Sequence, residues 1–475
     1  MKKTLVLTLL AALVVSLLFY YLLGGGPSVW GSFKNPETEK VLKQFVALKE
    51  KQANTDTNAM PREIQAMFKY AERGQWLSFS NAFSDLPERN RGFTSGPALS
   101  EKFWTKVDRF ISDTAEKVGW HWKVTSPPRL SGISWEAIKE VNGAFDGFVT
   151  GDEKYSTEFG RDIIDSTPPG SVYFGGPDPG RHIVTAMCQT RPKDALFVIA
   201  QHNLIYEDYL DYLRSMYGKK IYIPTPDDRE ACLKEYSRSL FAHVSSLPDA
   251  MGLNGPLSKT IFDKCPTNEF FIEQNIEPGF SDWVNPYLEP HGLIFKISRQ
   301  PWAALSDEII QRDREYWRKS LTPKIGGWLR EETTVQTIAA FVKKTIWRGD
   351  FSGFTGDPRF VRNGYSCKMF SQGRAAIAGL YAWRANMAKN DSEKRRLTVE
   401  ADFAFRQAWA LCPYGYGVVL PYINFLMSQN RFDDALLVAE TMAALPQVKN
   451  DEILKGVPDQ IRQYQREHPA SKHTN

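Results

Sequence analysis

Residues 170–187 read GSVYFGGPDPGRHIVTAM: a short apolar run, a glycine- and proline-rich break, and a second apolar run. Ser171–Phe174 is brief, β-branched and aromatic, and reads as a strand; Arg181–Gln189 reads as a helix. The break has the outline of a phosphate loop, with Gly175, four residues, Gly180, then Arg181 and His182 where Lys and Ser/Thr belong. Its chemistry is wrong for that role. Pro177 and Pro179 remove two backbone donors, Asp178 brings negative charge, and His182 replaces the hydroxyl that would hold magnesium. The same residues suit a strand-to-helix junction. Asp178 is a favoured cap, Pro179 fits the first helical position, and Gly175 and Gly176 permit a sharp exit from the strand.

The pattern recurs downstream. ALFVIA (Ala195–Ala200) reads as a second strand, followed by a helix over Ile205–Tyr217 with Ile205, Tyr209, Leu213 and Met216 on one face and Gly218 as its terminator. KIYIP (Lys220–Pro224) comes next, then a helix opened by Thr225, Pro226 and Asp228, then the strand-like EFFIEQ (Glu269–Gln274) and GLIFKIS (Gly292–Ser298). Strands alternating with helices predict an α/β domain over residues 151–305, Rossmann-like, with a mainly parallel sheet. If the first two strands are parallel neighbours, the loops that follow them share the carboxyl edge where such folds bind ligands. The candidate ligand-binding residues are therefore Asp178, Arg181, His182, Gln201, His202 and Asn203. Arg181 beside a helix N-terminus suits a carboxylate or phosphate, and a carboxylate near His suits acid–base work. No HExxH, GxSxG or GxGxxG occurs, so no catalytic residue is assigned, no cofactor is implied, and the reading leans away from an enzyme.

The flanks read as helical. In residues 31–150, Val41, Leu42, Phe45 and Leu48 recur at helical spacing, as do Phe103, Val107, Ile111 and Ala115; Ile64–Leu86 reads as a helix pair. Trp120, His121 and Trp122 read as packing aromatics, with sugar stacking as the rival reading. Residues 306–475 carry helical patterns with tetratricopeptide-like repeats over about 373–447. Ala401, Phe405, Ala408 and Pro413 fit the second helix of such a repeat, and a shift of 34 residues gives Ala435, Ala439 and Met442, with Pro446 one position early.

Bulk properties narrow the function. Among 475 residues, 59 basic side chains against 55 acidic ones leave a net charge of +4, without the imbalance that nucleic-acid binding requires. Lys2 and Lys3 precede Thr4–Leu23, an uncharged apolar run whose helix would span roughly 30 Å, the thickness of a bilayer core. Residues 1–30 are thus expected to form an anchor and tether in the inner membrane, with the bulk of the chain periplasmic. The five cysteines show no zinc-like spacing, so no metal site is expected. A Cys232–Cys265 disulfide stays open against a set of buried thiols.

The segments PPGSVYFGGPDPGRHIVTAM, FVIAQHNLIYEDYLDYLRSMYGKKIYIP, HGLIFKISRQP and EADFAFRQAWALCPYG together carry a resemblance over Glu153–Leu445. The chain resembles the soluble C-terminal region of a bacterial family of multi-spanning membrane proteins of unknown function, related to protein O-mannosyltransferase-like glycosyltransferases. In that family tetratricopeptide repeats can follow, and Asp178 matches an acidic loop position. With the multi-spanning part replaced by one anchor and a helical segment, the resemblance implies an accessory or docking protein in envelope and glycan assembly, without catalysis of its own. The alternative is an enzyme or ligand-binding domain acting on a glycan or other anionic substrate at the 175–182 and 201–203 loops. Expected partners are the inner membrane through residues 4–23, a protein at the C-terminal repeats, and a glycan ligand.

Overall fold

A computed structural model describes residues 33, 35–56, 59–86, 130, 132–176, 179–191, 193, 195–218, 220–242, 250–274 and 283–467. The chain divides into two compact units, Gly26–Leu288 with Lys296–Pro301, and Glu289–Phe295 with Trp302–Asn475.

The first unit opens with helices α1 (Pro36–Ala53), α2 (Arg62–Glu72), α3 (Trp76–Ser84), α4 (Gly132–Thr150) and α5 (Glu153–Ser166). Asn35 caps α1, its side chain accepting from the Glu37 amide at 2.9 Å, with Pro36 in the first turn. The buried stripe of α1 runs Leu42, Phe45, Val46, Lys49, Ala53. Leu48, expected on that face, is 42% exposed, and Lys49 takes the buried place at 0%.

Along the chain then follow β1 (Val172–Gly175), α6 (Pro179–Gln189), β2 (Phe197–Ala200), α7 (Glu207–Tyr217), α8 (Pro226–Ala242), α9 (Asn254–Lys264), β3 (Phe270–Ile272), β4 (Leu288–His291) and β5 (Ile294–Ile297), of which Glu289–His291 and Ile294–Phe295 fall in the second unit. A reciprocal cap opens α8: the Asp228 amide donates to Thr225 Oγ1 at 3.2 Å, and the Thr225 amide to Asp228 Oδ2 at 2.8 Å. KIYIP forms no strand; the Tyr222 amide donates to Cys265 Sγ at 3.1 Å instead. The strands form one sheet in the order β2-β1-β3-β5-β4. β1 lies parallel to β2, Val172 facing Phe197 through Gly175 facing Ala200, and parallel to β3. β4 and β5 are joined by a two-residue turn at Gly292 (φ 64°), which makes them an antiparallel hairpin and the sheet mixed.

The expected Rossmann-like α/β fold with a mainly parallel sheet is therefore corrected. Among the described residues 70% are helical, and one small mixed sheet of five strands holds 5%. The physical reason lies in run length. Each apolar run that reads as a strand is bounded by turns and extends for three or four residues, whereas the helices around it run for 11 to 19. Short strands offer little face to cover, so helix packing supplies most of the core.

The second unit contains α10 (Asp307–Ile325), α11 (Val335–Phe341), α12 (Pro358–Arg362), α13 (Gly364–Met387), α14 (Asp391–Leu411), α15 (Tyr416–Ser428), α16 (Phe432–Ala443) and α17 (Glu452–Glu467). α13 packs on α14 and α15 on α16 as successive hairpins. Asn363 and Asn390 cap α13 and α14 by accepting from the Ser366 and Glu393 amides, each at 2.8 Å. Ala401, Phe405, Ala408, Ala435, Ala439 and Met442 are all buried between helices. At its centre Arg374 pairs with Asp313 at 2.7 Å and donates through Nε to Gln407 at 2.7 Å, while Tyr381 OH donates to Asp313 Oδ2 at 2.9 Å.

Among the described residues no helix is long and apolar enough to cross a membrane. This corrects the expected localisation: a single-pass inner-membrane protein with its bulk in the periplasm is not supported. Residues 4–23, which carried that expectation, lie outside the described residues, as do Asp178, the Phe103–Ala115 pattern and Trp120, His121 and Trp122. Cys232 and Cys265 form no disulfide; all five cysteines are buried thiols outside any disulfide.

Candidate functional site

Because β1 and β2 are parallel neighbours, their exits meet at one edge of the sheet. Arg181, in the first turns of α6, is 5% exposed. Its Nε donates to the Gly176 carbonyl at 3.1 Å, and its Nη2 contacts His182 Nε2 at 2.9 Å. Gly175 makes room for this, since a Cβ there would lie 2.5 Å from Arg181 Cγ. Gln201, fully buried in a single turn after β2, donates to the Phe174 carbonyl at 3.2 Å and the Gln274 carbonyl at 2.7 Å, tying the ends of all three parallel strands together. His202 and Asn203 are half-buried in the same turn. Asn203 enters through its backbone, accepting from the Tyr206 amide at 3.0 Å. Five of the six candidates thus sit at one strand edge, and the sixth, Asp178, lies outside the described residues.

Several participants escaped the sequence reading. Glu273, just past β3, accepts from Tyr173 OH and from the Gly176 amide, each at 2.9 Å. Lys49 of α1 pairs with Glu140 of α4 at 2.6 Å and donates to Tyr212 OH of α7 at 2.6 Å. Glu136 of α4 pairs with Lys139 at 2.5 Å, and Tyr209 OH accepts from the Ala200 amide at 2.7 Å. Gly143 of α4 touches the His182 ring: a Cβ there would lie 2.3 Å from Cδ2. Lys49 had a sequence signal, a charge at helical spacing with Leu42, Phe45 and Val46. Glu273 had none beyond its place after a strand.

Burial governs the electrostatics here. It pulls the Lys49 ammonium below its usual range, against the opposing pull of Glu140. Burial, then the adjacent Arg181, holds His182 well below the ordinary imidazole value, and the same two causes bring His202 to about 3. Burial raises Glu136 and, with Glu140 next, raises Tyr212. His182 is bonded to Arg181 through Nε2, while Nδ1 of His182 and Nδ1 of His202 are buried without a hydrogen-bond partner. Among the described residues no group of three or more His, Cys, Asp or Glu is placed to hold a metal ion.

The second unit offers a different surface. A cavity of about 290 Å³ lies between α13 and α15 over Phe405 of α14. Gly379, Ala382 and Asn386 form one wall, Pro421, Asn424 and Ser428 the other, and no ionisable side chain lines it. A second hollow of about 430 Å³ at the start of α10 and α14 carries Asp307, Glu393 and Arg396. There Arg396 already pairs with Asp307 and donates to the Leu305 carbonyl at 2.8 Å.

The chain matches no family model, no curated protein and no solved structure.

Proposed function

We propose that the chain is a docking protein without catalysis of its own, and that the paired helices α13–α16 hold an uncharged stretch of a partner polypeptide. The observation that carries this is the uncharged cavity between α13 and α15. Its volume of about 290 Å³ lies just under the range of ligand sites, about 300 to 1,000 Å³, and suits a few residues better than a cofactor. Exposed Asn386 and Asn424 each offer donors and an acceptor, the complement of a peptide main chain, over an apolar floor of Phe405 and Phe425. The buried small residues at 34-residue spacing support reading α13–α16 as two tetratricopeptide-like pairs, and repeat arrays bind partners along such helical surfaces. On the family resemblance, the partner belongs to glycan assembly. The strand edge supports the rival ligand-binding reading less well, because Arg181, His182 and Gln201 are already bonded within the junction.

Selection from a displayed library of unstructured peptides, using the full chain as bait, tests the proposal. Recovered peptides should lose at least about tenfold in affinity when Ala382→Trp fills the cavity, with the melting temperature held. Equal binding to Ala382→Trp would sink the assignment.

A further inference from the structure

Arginine donates and does not accept, so the contact from Arg181 Nη2 requires His182 Nε2 to be the unprotonated nitrogen. The neutral ring then carries its hydrogen on Nδ1, an atom buried without a partner. A second proton can go only to Nε2. There it would set donor against donor and cation against cation at 2.9 Å.

We propose that the Arg181–His182 contact is an acid-sensitive latch at the carboxyl edge of the sheet: a proton on His182 breaks it and frees α6 from α4. The surroundings amplify the effect. Besides Arg181 on α6, the groups facing this region are His202 and Gln201 after β2, Lys139, Glu136 and Glu140 on α4, Lys49 on α1, Asp208, Tyr209 and Tyr212 on α7, and Glu273 after β3. On its other side α6 meets Phe159 and Gly160 of α5. Arg181, His202, Lys139 and Lys49 all oppose a charge on His182. The carboxylates are committed elsewhere: Glu136 to Lys139, Glu140 to Lys49, Asp208 to the Gly132 amide, and Glu273 to Tyr173 and Gly176. Gly143 holds α4 against the imidazole, so a ring that swings away from Arg181 must disturb that packing.

The sign follows from linkage. The folded rings titrate below the unfolded value of about 6.5, so the unfolded or opened chain binds more protons. The latch is fully effective above about pH 6.5 and weakens as pH falls below it.

Hydrogen exchange of the full chain, corrected for intrinsic rates, tests this. Between about pH 7.5 and about pH 5, protection of Pro179–Gln189 should fall at least about tenfold, while α13–α16 keep theirs. In His182→Gln, whose side-chain oxygen still accepts from Arg181 but does not titrate, the same change should shrink at least about threefold, leaving only the share that His202 contributes. If that variant does not fold, exchange at the imidazole Cε1 of the unaltered protein reads the titration directly, and His182 should titrate well below an exposed histidine. Four results overturn the latch: no pH-dependent loss in the unaltered chain, an equal loss in His182→Gln, a loss shared by α13–α16, or ordinary titration of His182.

Discussion

Each unit holds a buried triad of cation, carboxylate and tyrosine, yet the two triads differ in kind. In the second unit the planar fork of Arg374 divides between Asp313 and Gln407 and lies over Trp317 at 5.1 Å. Tyr381 donates to the carboxylate, so cation and tyrosine both satisfy one anion. In the first unit Lys49, a compact charge on a flexible stem, donates to Tyr212 and pairs with Glu140. Around it stand Lys139, Arg181 and two histidines. One triad is a self-contained pin. The other belongs to a network with a surplus of positive or protonatable groups, and its state depends on where protons sit.

The largest predicted effect tests the pin. Asp313→Ala leaves Arg374 buried and uncompensated and should cost about 3–5 kcal/mol by chemical denaturation. Replacing both partners, Arg374→Met with Asp313→Leu, should recover most of that loss. A cost below about 1 kcal/mol for Asp313→Ala would mean that water reaches the site, and the contrast between the triads would collapse. Lys49→Met is the matching change in the first unit. It strands Glu140 and should cost about 3 kcal/mol at neutral pH, with Glu140→Gln as the second-site rescue.

How far these features could be read from sequence follows from their range along the chain. Short-range signals were legible: the Thr225–Asp228 cap, the end of α7 at Gly218, and the junction after β1 all involve residues within a few positions of one another. Ala401 and Ala435, 34 residues apart, are both fully buried as their small size suggests. The strand edge could be anticipated from two apolar runs whose exits fall at corresponding places. The overall class was misread because alternation of runs says nothing about how much of the fold each run occupies. Lys49 was missed through a rotation of one residue: periodicity fixes a helical face only to within about 100°, and choosing Leu48 over Lys49 reversed in from out. Lys49 meets Glu140, and Glu273 meets Tyr173 and Gly176, across elements far apart in the chain, and no local pattern records such meetings.

The smallest predicted effect contrasts one helical glycine from each unit. Gly143 on α4 and Gly379 on α13 both lie inside helices, where alanine is favoured over glycine by roughly 0.5–1 kcal/mol. At Gly379 a Cβ meets nothing within 4 Å, so Gly379→Ala should stabilise the protein by about that amount. At Gly143 the same Cβ would lie 2.3–2.5 Å from Cδ2, Cγ and Nε2 of His182. Overpacking of this kind costs about 1–3 kcal/mol and should outweigh the helical gain, so Gly143→Ala destabilises. Combining it with His182→Ala removes the ring that the methyl strikes, and the two changes should then cost less together than their sum. Strict additivity in that cycle would mean that α6 slides away from α4 with its ring intact. In that case the close seating of His182 against Gly143 would not be what holds the strand edge shut.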